Sequence, residues 1–168
     1  MSDQQATVTN LDPRHLQRHL SFKLGKETYA IPLLTVREVI GMPEITPVPF
    51  TPGYFLGIMN LRGQVISVVD LRLKLNLKQQ GANPETAVII CDLGSTSLGV
   101  VVDSIDAVIS PVAQEISDKP EIHSQQNTDY ITVVFQRDKQ MTLFIDIAGL
   151  LSPQDRAAMS KASGGKAA

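Results

Sequence analysis

Apolar residues alternate with polar ones from Leu20 to Leu24, the two-residue period of a strand with one buried face. Gly25-Lys26-Glu27 interrupts the pattern, and Thr28 to Pro32 resumes it, which predicts a hairpin. Pro32 ends the second strand because it has no N–H to give a ladder. Leu33 to Thr35 is long enough for one turn only, and Val36 to Ile40 is extended again. Pro43, Pro47, Pro49, Pro52 and Gly53 then forbid helix. An irregular path is expected there, with Val48 and Phe50 tucked onto the body.

The next stretch is the most informative. Ile58-Met59 and Val65 to Val69 flank Asn60-Leu61-Arg62-Gly63, a turn sequence between two apolar runs, so a second hairpin is predicted with Arg62 at its tip. Leu73 to Leu77 trails off, and residues 78–85 read as an exposed loop. Thr86 to Asp92, Leu98 to Asp103 and Ile105 to Ile109 read as three strands. Residues 110–129 are polar and read as one long loop. Tyr130 to Phe135 and Met141 to Asp146 form a last hairpin. Ser152 caps a short helix with Pro153 at its first position. Residues 1–14 are expected to be a flexible tail, 15–152 the folded domain, and 153–168 a short helix and a second tail. About ten short strands separated by turn signals imply a mainly β barrel or sandwich. The missing long amphipathic helix argues against a doubly wound α/β fold.

Composition narrows the function classes. The chain has 168 residues, 43% hydrophobic and 19% charged, with a net charge of −2. That balance lacks the basic excess of a nucleic-acid binder. The single cysteine, Cys91, lies among apolar neighbours and is expected to be a buried, inert thiol. Neither a secretory leader nor a membrane-length apolar run is recognisable, so a cytoplasmic location without membrane insertion is expected.

Chemistry-bearing residues are sparse. His15 and His19 are four apart and His123 stands in a polar loop, but no acidic or cysteine partner completes a metal site. The two N-terminal histidines are expected to be exposed. Asp70, Asp92, Asp103, Asp106 and Asp146 sit at or near strand ends, where aspartates solvate and cap turns. Neither a nucleophile elbow nor a P-loop is present. A non-enzyme with no cofactor and no metal is expected, working by recognition. Arg62 has two open readings: an interface anchor, or a structural partner of Glu38 or Asp70.

The motif Gly57-x-x-Asn60-Leu61-Arg62-Gly63, followed by an apolar strand and Asp70-Leu71-Arg72, resembles the centre of the CheW family of bacterial chemotaxis coupling proteins. The likeness extends from about residue 19 to 151. Phe22-x-Leu24-Gly25-x-Glu27-x-Tyr29 resembles the opening hairpin, and Leu98-Gly99 to Asp103 and Tyr130-Ile131-Thr132 resemble later strands. Ser67 stands where a proline is usual, Val133-Val134 replaces a glycine-containing segment, and Ile122 replaces a frequent aromatic.

The resemblance implies two SH3-like five-stranded barrels packed side by side around an apolar seam. It implies an adaptor joining the cytoplasmic tip of a methyl-accepting chemotaxis receptor to the regulatory domain of the histidine kinase CheA. Carried over by position, Val36, Glu38, Gly57, Asn60 and Arg62 belong to a receptor-binding groove, and Pro120, Glu121 and Ile122 to a kinase-binding surface. An adaptor of a pilus-type array is a variant of this reading. A nucleic-acid-binding barrel and a metal enzyme built on the aspartates are the remaining alternatives.

Overall fold

The computed structural model of the chain describes residues 11–77, 81, 83–119 and 129–164. Strands β1 (His19–Leu24), β2 (Glu27–Pro32) and β3 (Val36–Gly41) are followed by β4 (Phe55–Leu61) and β5 (Gln64–Asp70). A one-turn helix α1 (Leu71–Lys74) precedes β6 (Ala87–Asp92), β7 (Ser97–Val102), β8 (Ser104–Ile109) and β9 (Ile116–Asp118). The last elements are β10 (Ile131–Arg137), β11 (Gln140–Ile145), α2 (Ile147–Leu150) and α3 (Pro153–Gly164).

Two sheets result, one ordered β8-β1-β2-β11-β10-β9 and the other β3-β6-β7-β5-β4. Side-chain alternation shows how they close. Ile40 on β3 and Met59 on β4 lie on opposite edges of the five-stranded sheet, yet both pack with Ile66, Val68, Val88, Ile90 and Val101. The sheet therefore wraps around one core. Thr46 and Ile58 staple its open side with reciprocal backbone bonds of 2.8 and 2.9 Å. In the six-stranded sheet, Ile109 on β8 and Ile116 on β9 meet around Phe135 and Phe144. Arg137 spans that opening, donating from Nη2 to Ser110 O at 3.2 Å and to Glu115 Oε1 at 2.9 Å.

The alternate residues face the other way. Phe22, Leu24 and Ile31 from one barrel pack with Ile89, Cys91, Leu98, Val100 and Val102 from the other, forming the largest apolar cluster. Both faces of the central strands are thus buried, which explains why β6 and β7 read as continuous apolar runs. Two barrels packed around a seam match the expected architecture, with one difference: one barrel has six strands. The extra strand, β9, lies inside the segment read as loop, because Ile116 is its only buried apolar residue and no alternation marks it.

Two further expectations are corrected. Phe50 is fully exposed, whereas Val48 alone of that pair packs onto the body. His19 is 2% exposed at the start of β1, stacked on Phe144 with ring centroids 4.0 Å apart. Its Nδ1 donates to Gln17 O at 2.6 Å, which leaves the buried imidazole satisfied. The helix after Ser152 has twelve residues and a capping box: Ser152 Oγ accepts from Asp155 N at 3.1 Å, and Asp155 Oδ2 from Ser152 N at 2.8 Å. Asp155 is buried and also accepts from Lys74 Nζ at 2.7 Å and from the Tyr54 hydroxyl, so it docks α3 on the five-stranded barrel.

Candidate functional site

The tip of the β4–β5 hairpin is built by two residues with positive φ, Arg62 at 49° and Gly63 at 89°. Left-handed backbone at both central positions matches the right-handed twist of the flanking strands. Asn60 Oδ1 accepts from Gly63 N at 2.8 Å and locks the turn. The turn aims Arg62 across the open side of the barrel, where its guanidinium donates to the Glu38 carboxylate on β3. Arg62 keeps 68% of its side chain exposed, against 26% for Glu38. Of the two open readings, the pairing with Glu38 is present; Asp70 is occupied by Arg72 instead. An exposed pair of this kind contributes at most about 1 kcal/mol to stability, so most of the Arg62 fork remains available.

Next to this pair, Arg37 Nη1 donates to Gln64 Oε1 at 2.7 Å, a second tie from β3 to the hairpin. The sequence gives no hint of it, because the partners are 27 positions apart. Val36 is half-buried and packs against the seam cluster. Gly57 is buried, with φ of 142°. A Cβ there would lie 2.0 Å from Thr46 O, so the barrel staple closes only over glycine. Val36, Glu38, Gly57, Asn60 and Arg62 therefore share β3 and the β4–β5 hairpin, with Gly57 shaping the backbone rather than offering surface. Pro120, Glu121 and Ile122 lie outside the described residues.

A residue missed by the sequence reading is Leu34, 80% exposed in the turn before Val36. It forms one lip of a cleft of about 360 Å³ whose floor includes Ile31, Ile145 and Ile147, with Arg14 and Asp146 on its rim. His15 also lines this cleft, and burial lowers its pKa from the ordinary histidine value. Among the described residues, no three His, Cys, Asp or Glu side chains come together as a metal site. No described helix is long and apolar enough to cross a membrane.

Residues 18–155 match the family model of the CheW-like domain. The chain belongs to the CheW family. It is 34% identical to the chemotaxis protein CheW of Klebsiella aerogenes, over 90% of this chain and 92% of that one. It is 32% identical to CheW of Helicobacter pylori, over 79% and 80% of the two chains. The crystal structure of the scaffolding protein TtCheW from Thermoanaerobacter tengcongensis superposes with a TM-score of 0.75 at 27% identity, covering 83% of this chain and 94% of that one. CheW membership makes this protein a chemotaxis scaffold and favours neither the nucleic-acid barrel nor the pilus-array variant.

Proposed function

We propose that this CheW-family chain couples the signalling tip of a chemotaxis receptor to the regulatory domain of the kinase CheA, in the cytoplasm and without catalysis. The receptor face comprises Val36, Glu38, Asn60 and Arg62, with Gly57 setting the backbone beneath them. The kinase face includes Pro120, Glu121 and Ile122. One observation carries the receptor assignment: a largely exposed arginine is held across the barrel opening by a rigid turn and a carboxylate on the facing strand. A receptor helix presents an apolar stripe flanked by polar residues. Val36 and Leu34 supply apolar contact for such a stripe, while the free edge of the guanidinium supplies charge-assisted hydrogen bonds.

Titration with a receptor-tip fragment and, separately, with the kinase regulatory domain tests the proposal. Binding to both partners at once is expected. Failure to bind either one removes the coupling role, and binding unaffected by Arg62→Ala removes the receptor face.

A further inference from the structure

Arg14, Arg62, Arg72 and Arg137 each hold a carboxylate. Arg72 and Arg137 do so with the edge formed by Nε and Nη2, which presents two parallel N–H donors to the two oxygens of Asp70 and of Glu115. Arg37, exposed on β3, is different. Its Nη1 donates to Gln64 Oε1 at 2.7 Å, and Ser97 Oγ stands 3.5 Å from the same nitrogen. Both acceptors are neutral. The Nε–Nη2 edge of Arg37 has no partner among the described residues.

The backbone sets this side chain apart. Val36 pairs with Cys91 and Glu38 with Ile90, which are neighbours on β6, so Arg37 is the extra residue of a β-bulge. A bulge gives up regular pairing and redirects a side chain. Gln64 on β5 and Ser97 on β7 then orient the guanidinium from one side. A side chain held in this way loses little freedom when a partner binds it.

Consecutive residues of β3 reach the same hairpin: Arg37 bonds Gln64, and Glu38 bonds Arg62. The two ties bring together two guanidiniums and one carboxylate, a local positive excess on a chain whose net charge is −2. Holding the hairpin to β3 requires no charge beyond the one that Glu38 matches. The second guanidinium, with its carboxylate-binding edge turned to no other group of the chain, suits a carboxylate brought from outside.

We infer that Arg37 is a second anchor of the receptor face and takes a carboxylate of the bound receptor helix on its Nε–Nη2 edge. The inference rests on the receptor face proposed above, in which Arg37 stands between Val36 and Glu38. Gln64 and Ser97 act as positioning residues. Arg37 makes the face select a helix that carries an acidic side chain beside its apolar stripe, and disfavours one that carries a basic side chain there.

The test is titration calorimetry of the full chain with a receptor-tip fragment from the same organism, unaltered or with its Asp and Glu side chains changed singly to Asn and Gln. Arg37→Gln is expected to weaken binding of the unaltered fragment about tenfold and to flatten its salt dependence. Melting is expected to stay unchanged, because the side chain is exposed. One carboxylate-to-amide change in the fragment is expected to cost wild type the same factor and to cost Arg37→Gln almost nothing. Gln64→Glu separates an anchor from a tie. It sets a carboxylate against Arg37, which strengthens a tie but occupies an anchor, so weaker receptor binding is expected. Wild type that fails to bind the fragment removes the receptor face and the role of Arg37 with it. Wild type that binds and is weakened by Arg62→Ala, but is equalled by Arg37→Gln or by Gln64→Glu, overturns the anchor alone. A loss in Arg37→Gln that stays the same against every altered fragment also overturns it, and leaves Arg37 a residue that positions the hairpin.

Discussion

Arg72 Nη1 donates to Asp103 Oδ1 at 2.8 Å, joining the end of the β4–β5 hairpin to the point where the chain crosses from one barrel to the other. The same guanidinium is held by Asp70, through Nε at 3.2 Å and Nη2 at 3.1 Å. Asp103 in turn accepts from Gly25 N at 2.5 Å in the β1–β2 turn, and its own N–H donates to Lys23 O at 3.0 Å. The Asp-Leu-Arg at the end of β5 is thus a junction between barrels, with Arg72 only 4% exposed.

Removing the arginine takes away the cation that the Asp70 and Asp103 carboxylates share beneath the surface. Arg72→Ala is expected to cost about 3–5 kcal/mol, read as a lower urea midpoint. Asp103→Asn, on the more exposed partner, is expected to cost less. A midpoint unchanged in Arg72→Ala would show that the junction contributes nothing.

Gly57 and Arg62 are separable by stability. Gly57→Ala drives a Cβ into the Thr46 carbonyl and is expected to cost at least about 2 kcal/mol, with receptor binding lost through the fold. Arg62→Ala is expected to change stability by no more than about 1 kcal/mol and still weaken receptor binding. A large drop in the melting temperature of Arg62→Ala would make that arginine structural.

His19 gives the stability a pH dependence of known sign. Burial lowers its pKa below the ordinary 6.5, with His15 adding to the effect and the bond to Gln17 O opposing it. The unfolded chain then binds a proton more readily than the folded one, so stability is full above about pH 6.5 and falls as pH drops below it. His15, also lowered by burial, contributes in the same direction. Urea midpoints measured between about pH 7.5 and about pH 5 are expected to fall, and to fall less in His19→Gln.

Cys91 is completely buried, and burial pushes its thiol up to about 12. Thiol reagents act on the thiolate. Labelling of the native protein is therefore expected to be slow and to accelerate only with denaturant concentrations that unfold the barrels. Fast labelling of native protein would place Cys91 nearer solvent than the seam allows.

The hairpins were legible because their signals are local: Gly63 between two apolar runs, and Gly25 after Leu24. The position of Arg62 at the tip of the β4–β5 hairpin was legible through the turn sequence Asn60 to Gly63. What escaped depends on long-range geometry. The phenyl ring of Phe50 stands outside the core on backbone with φ of 61°, which hydrophobicity alone does not reveal. His19 looked polar in sequence, yet Phe144, 125 positions later, offers it a stacking face. Leu34 did not stand out in the sequence, because a one-turn helix leaves no periodicity to show which side faces outward.

The parallel pairing of β2 with β11, through Thr28–Thr142 to Ala30–Phe144, has a consequence for biosynthesis. Strands β3 to β7 form a contiguous stretch, so the barrel they build is complete in a nascent chain once residue 102 has left the ribosome. The opening hairpin, β1 and β2, emerges first and waits longest. Its neighbour β11 is among the final segments translated, and until then an apolar strand edge stands open to any passing chain.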